Sequence, residues 1–231
     1  FGEQNVSGDS IANILHQIAS SGHEHDGEVP TDMELARIVS QLAFFVNGKL
    51  NENELICDPA AGSGSLLSAT IEDFDILPKQ ILANDWNEHL VELLSLRLGL
   101  KFANIVSKDN SPKIETMNIA DLDRSFFNNV KIIVMNPPFV AGINCVERKE
   151  KLLQAITHLT GNQAESNIGQ MALEVPFLEL ITQLVNRDTT IACVFPKTHL
   201  TARGDEAKKI RRFLLEKFGL CLIFSYPGTE I

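Results

Sequence analysis

Residues 132–139, Ile-Ile-Val-Met-Asn-Pro-Pro-Phe, constrain the fold more than any other stretch of the sequence. A short, β-branched apolar run from Lys131 to Met135 has the character of a buried parallel strand. It stops at a polar side chain and two prolines, which lack N–H donors and cannot continue a ladder. The result is a rigid loop at the carboxyl end of a strand, where open α/β sheets hold their ligands. Asn136 offers a side-chain carbonyl and Pro137 a backbone carbonyl, with Pro138 stiffening the turn. Two acceptors converging on an exocyclic NH2 would localise the nitrogen lone pair and make it nucleophilic. Phe139 gives a face on which a flat substrate can stack. The plainer alternative is a strand-ending turn followed by a core phenylalanine.

A second strand-and-turn unit lies upstream. Glu54–Cys57 reads as a strand, followed at once by Asp58-Pro59-Ala60-Ala61-Gly62-Ser63-Gly64 and then a helix. Gly62 and Gly64 would let the backbone approach a ligand, and Asp58 suits a cationic amino group directly or through water. The stretch is neither the dinucleotide fingerprint nor a phosphate loop, since the glycine spacing is wrong and no lysine follows. Gln80–Asn84 forms the next strand, ending at Asp85-Trp86. An acid about 20 residues beyond the glycine turn is placed for ribose hydroxyls, although Asp85 could simply cap the following helix. Trp86 can cover an adenine face. After a third strand, Lys113–Met117, Asn118 or Asp121 could bond the amino group of that adenine.

The remaining elements alternate. A helix opens at Pro30-Thr31-Asp32, with Thr31 as N-cap and Glu34 as its capping-box partner. Its stripe is Leu35, Ile38, Val39, Leu42, Ala43 and Val46. Helices follow at Glu88–Leu100, Gly169–Val185 (bent at Pro176) and Asp205–Phe218, and strands at Thr190–Phe195 and Leu220–Ser225. Residues 140–168 form a loop-rich insertion, a lid or a substrate-facing segment, with a helix at Glu147–Leu159. This alternation gives a doubly wound, mostly parallel α/β sheet over residues 30–231. Residues 1–29, with a short helix at Ser10–Ile18 and a polar loop bearing His23, His25 and Asp26, read as a linker from a preceding helical region.

The net charge of −10 lacks the basic footprint of a self-sufficient nucleic-acid binder. One positive patch, Lys197, Arg203, Lys208, Lys209, Arg211 and Arg212, either contacts phosphate or is a solvated helix face. No apolar run reaches the ~18 residues of a membrane span. The widely spaced Cys57, Cys145, Cys193 and Cys221 suit a reducing cytoplasm, and neither they nor the histidines suggest a metal.

With these motifs assembled, the sequence resembles the adenine-specific DNA methyltransferases, and within them the modification subunit of type I restriction-modification systems. The likeness covers about residues 28–231. It implies a Rossmann-like, class I S-adenosylmethionine-dependent methyltransferase fold, with no sequence left for the family's seventh strand. It implies methylation of the N6 amine of a flipped-out adenine in DNA, alongside specificity and restriction subunits. By motif, Asp58, Pro59, Ala60, Gly62 and Gly64 would hold the methionine end of the cofactor and Asp85 its ribose. Trp86 and Asn118 or Asp121 would border its adenine. Asn136, Pro137, Pro138 and Phe139 would hold the target base. The family places Thr-Pro where this chain has Pro30-Thr31, and Thr31 is carried over as a cofactor residue on that footing. The rivals are a methyltransferase of a protein glutamine or a ribosomal RNA base, and a non-catalytic cofactor-binding module.

Overall fold

The computed structural model describes residues 31–140, 145–167, 172–219 and 222–225. The expected helix at Ser10–Ile18, the histidine loop and Pro30 lie outside the described residues. Five parallel strands form one sheet: β1 (Leu55–Asp58), β2 (Ile81–Asp85), β3 (Lys113–Thr116), β4 (Val130–Met135) and β5 (Thr190–Cys193). Their order is β3-β2-β1-β4-β5, so the chain reverses its direction of winding between β1 and β4. In a doubly wound sheet the crevice opens at that switch point, beyond the strand ends. The motifs Asp58–Gly64 and Asn136–Phe139 leave those two neighbouring strands and therefore face one crevice.

Helices α1 (Met33–Asn47), α2 (Ser65–Asp73) and α3 (Glu88–Lys101) share an apolar layer with the upward-facing residues of β1, β2 and β4. The other face packs against α4 (Val146–Thr160), α5 (Glu174–Leu184) and α7 (Asp205–Phe218), reached through the short α6 (Lys197–Thr201). Ile132 and Val134 bury toward the first layer, Ile133 and Met135 toward the second, as period-two alternation requires.

Several local readings need correction. The N-cap of α1 is Asp32, whose carboxylate accepts from the backbone N–H of Glu34 and Leu35, at 2.9 and 3.3 Å. Thr31 is thereby released for another partner. The buried stripe of α1 is Ala36, Val39, Ser40, Ala43 and Phe44, while Val46 is exposed, a rotation of the expected face. The cap of α3 is Asn87, not Asp85. Helix α5 begins at Glu174, so Pro176 lies in its first turn, where its missing N–H costs nothing, and it bends no helix. Among the described residues, the insertion after the Asn-Pro-Pro-Phe loop is largely one helix rather than loop-rich. Its α4 sinks Leu152 and Ile156 into the core, and the segment after it is clamped by Glu179. That buried carboxylate accepts from the backbone N–H of Glu165 and Ser166, at 3.0 and 2.7 Å. The expected sixth strand is absent among the described residues: 222–225 are exposed and pair with nothing in the sheet.

Candidate active site

The strand tips are laced together by one side chain. Asn84 donates from Nδ2 to the carbonyls of Pro59 (3.2 Å) and Met117 (3.0 Å), and its Oδ1 accepts the Met117 N–H (3.1 Å). The ends of β1, β2 and β3 are thus fixed relative to one another. Asp85 does the same for the glycine turn. Its two oxygens accept from the N–H of Gly62 at 2.8 Å and of Asn87 at 2.9 Å. A carboxylate has about four lone-pair sites, so capacity remains for ligand hydroxyls.

A cleft of about 730 Å3, open side included, lies over these tips. Pro59, Ala60 and Gly62 form one wall; Asp85, Trp86 and Asn118 form the second; Asn136 and Pro138 close the third. Asp121 is exposed and off the cleft, so of the two alternatives after β3 it is Asn118 that borders it. The Asn118 side chain also accepts from the Ala120 N–H at 3.0 Å. Phe139 stands outside the cleft wall at 36% exposure, and Pro137 is buried beneath. The fourth wall comes from elements whose sequence carried no motif: Arg148 and Leu152 of α4, then Leu173 and Phe177 at α5.

Two members of the glycine motif do not line the cleft. Gly64 adopts φ +87° as the cap of α2, and an added Cβ would come within 2.4 Å of a methyl of Leu94 on α3. Its role here is close helix packing. Asp58 is buried beneath the turn, where its carboxylate accepts the Ala60 N–H at 3.1 Å. Burial is the main reason its pKa stands well above the usual carboxylate range, and the neighbouring Asp85 adds to the rise.

The loop after β4 holds the most informative atom. Asn136 donates from Nδ2 to the Thr31 hydroxyl at 3.0 Å, which ties the amide to the start of α1. Its Oδ1 is buried and has no hydrogen-bond partner among the described residues. A buried acceptor left unsatisfied costs about 1–3 kcal/mol. Here it belongs to a residue that lines the cleft.

The family model described as N-6 DNA methylase matches residues 3–229. The chain belongs to the N-6 DNA methylase family. No curated protein matches the sequence. Among solved structures, the type IIG restriction endonuclease BpuSI is 43% identical with a TM-score of 0.84, over 91% of this chain and 24% of that one. A type I restriction-modification methyltransferase subunit from Streptococcus thermophilus is 22% identical with a TM-score of 0.65, over 90% of this chain and 43% of that one. The DNA-bound Type ISP enzyme LlaBIII shares the fold at 15% identity and a TM-score of 0.62. This N-6 DNA methylase therefore spans less than half the length of the first two, and its sheet is that of the class I methyltransferases of restriction-modification systems. Methyltransferases of this class in general take their methyl group from S-adenosylmethionine. Its hydroxyls and flat base meet suitable chemistry on the cleft wall in the acceptor Asp85 and in Trp86 with Asn118, while the acid Asp58 lies beneath that wall. The residues present therefore fit the group.

Proposed function

We propose that this chain is the catalytic core of an adenine-N6 DNA methyltransferase within a restriction-modification system, with S-adenosylmethionine as methyl donor. The observation that carries the reading is the buried, unsatisfied Oδ1 of Asn136, oriented by Thr31. An acceptor held in one direction without a donor is suited to an amine that arrives with the substrate.

Asp58, beneath the turn, would act on the ammonium of the donor through water, Asp85 on its hydroxyls, and Trp86 with Asn118 on its base. When bound, the donor supplies a methyl carbon made electrophilic by a sulfonium. Asn136 Oδ1 and the Pro137 carbonyl accept the two hydrogens of the target amine, which localises its lone pair. No base is needed before attack, because the proton can leave afterwards. Adenine must be extruded from the duplex at a few kcal/mol. Phe139, half exposed at the mouth of the loop, offsets part of that by stacking, on the order of 1–3 kcal/mol. Alignment and fixed dipoles supply the rest of the catalysis.

The identity of 43% with the type IIG endonuclease, against 22% with the type I subunit, favours a setting like the former, in which the methyltransferase is a quarter of a longer chain. In a type I setting, specificity and restriction subunits would supply the grip on DNA. Labelled S-adenosylmethionine, offered with duplex DNA, ribosomal RNA and protein, tests the substrate class. Label on the N6 of adenine in DNA is the expected result. Label on an RNA base or a glutamine amide would replace the substrate while keeping the chemistry.

A further inference from the structure

We propose that Arg148 is a positioning residue for the nucleoside end of the cofactor, acting through Trp86; this rests on the cofactor reading above. The guanidinium lies over the Trp86 ring, 4.8 Å from its centroid. Arg148 is the one cationic side chain on the cleft wall among the described residues. Its helix is not a mobile flap. One turn on, Leu152 is 3% exposed and lines the same cleft, and Ile156 is 1% exposed in the core. The backbone of Arg148 is therefore held where it is by apolar packing that does not depend on the guanidinium.

Trp86 is 45% exposed on the turn after β2. A large aromatic ring in that position samples several rotamers, and each must be given up when a base stacks on it. A cation over one face holds the indole upright before the ligand arrives, and that preorganisation lowers the cost of binding. The planar guanidinium stacks in a way that a lysine ammonium does not, so the two side chains are unequal here. The location also suits the ligand's charge. The cation sits beside Trp86 at the tip of β2, whereas the acid that would meet the cofactor's ammonium is Asp58 at the tip of β1.

The test measures binding of S-adenosylhomocysteine to the full chain by calorimetry, for wild type, R148A, R148K, W86A and the R148A/W86A pair. Trp86 is the only tryptophan of the sequence, so its emission reports the ring directly. R148A should raise Kd about 2–30-fold, the range that a cation–π contact of ~0.5–2 kcal/mol converts to. R148K should fall between. In the W86A background, R148A should add little, and in the parent it should shift the indole emission without lowering Tm. A Kd in R148A equal to or below that of wild type would overturn the proposal, as would an effect that persists undiminished in W86A. If the wild-type chain fails to bind at all, the cofactor reading falls and this inference with it. Should R148A prove poorly folded, the intermediate Kd of R148K and its emission decide alone.

Discussion

Asn136 and Thr31 act as a pair across 105 positions of sequence. The threonine hydroxyl accepts one amide hydrogen, and Oδ1 has no partner among the described residues. Thr31→Val keeps the shape and removes the acceptor. The amide then loses its one side-chain tether, and turnover should fall on the order of tenfold, one hydrogen bond's worth, with S-adenosylhomocysteine affinity little changed. Single-turnover kinetics beside calorimetry would show the split. Asp58 makes a different prediction. Its pKa is raised in the folded chain, chiefly by burial, so folding takes up a proton. Its contribution to stability is therefore fully present below the ordinary aspartate range near pH ~4 and is lost as pH rises through the raised value. Asp58→Asn preserves the oxygen that accepts the Ala60 N–H. It should flatten that pH slope and raise Tm at neutral pH, by about 2–4 °C for each kcal/mol gained. It should also weaken cofactor binding on the order of ten- to a hundredfold. Thermal melts across pH, with and without ligand, measure both. At this scale Asn136 was legible, because an apolar strand ending in Asn-Pro-Pro-Phe admits few roles. Thr31 was half legible: Thr31 and Asp32 are both good caps, and only the three-dimensional arrangement shows that the second caps while the first turns to Asn136.

Among the elements, the turn between β1 and α2 is the least tolerant. Gly64 combines a left-handed backbone with a neighbour, Leu94, in the space a methyl would need. Gly64→Ala should destabilise the fold by roughly 2–4 kcal/mol, the sum of left-handed strain and overpacking. Denaturant melts would register this as a lower midpoint at unchanged slope. The sequence pointed to that glycine for a ligand; the reason it is glycine is a helix 30 residues later, which no local pattern displays. The same limit hid the fourth wall of the cleft. Helix α4 could be read from its spacing, but that its first turn would cover the cleft follows only from docking against α5. The strands of the sheet centre were readable because buried parallel strands carry continuous apolar runs. The run at 220–225 has that composition too, yet its residues 222–225 are exposed, since composition alone does not supply a neighbour.

For the molecule as a whole, charge is the governing term. The net charge is −10, and the positive patch at 197–212 is partly engaged in structure. Arg211 donates to the carbonyls of His199, Leu200 and Ala202, Arg212 pairs with Glu216, and Lys208 with Asp205. Duplex DNA should accordingly bind this chain by itself no more tightly than the ~10⁻⁴–10⁻⁶ M of non-specific contact. Fluorescence anisotropy at physiological salt checks this, and nanomolar binding would show that the acidic balance has been misread. Among the described residues no helix is long and apolar enough to cross a membrane.

The central claim is that a directed, unsatisfied amide oxygen receives the target amine. Asn136→Ala, assayed for methyl transfer to adenine in DNA and titrated with S-adenosylhomocysteine on the same preparation, tests it most directly. Loss of transfer by at least three orders of magnitude, with cofactor affinity held within about threefold, is the predicted result, since alignment at the reacting centre is worth many powers of ten while the groups proposed to hold the cofactor, Asp85, Trp86 and Asn118, stand on another wall of the cleft. Transfer that survives, or cofactor affinity that collapses together with it, would contradict the account.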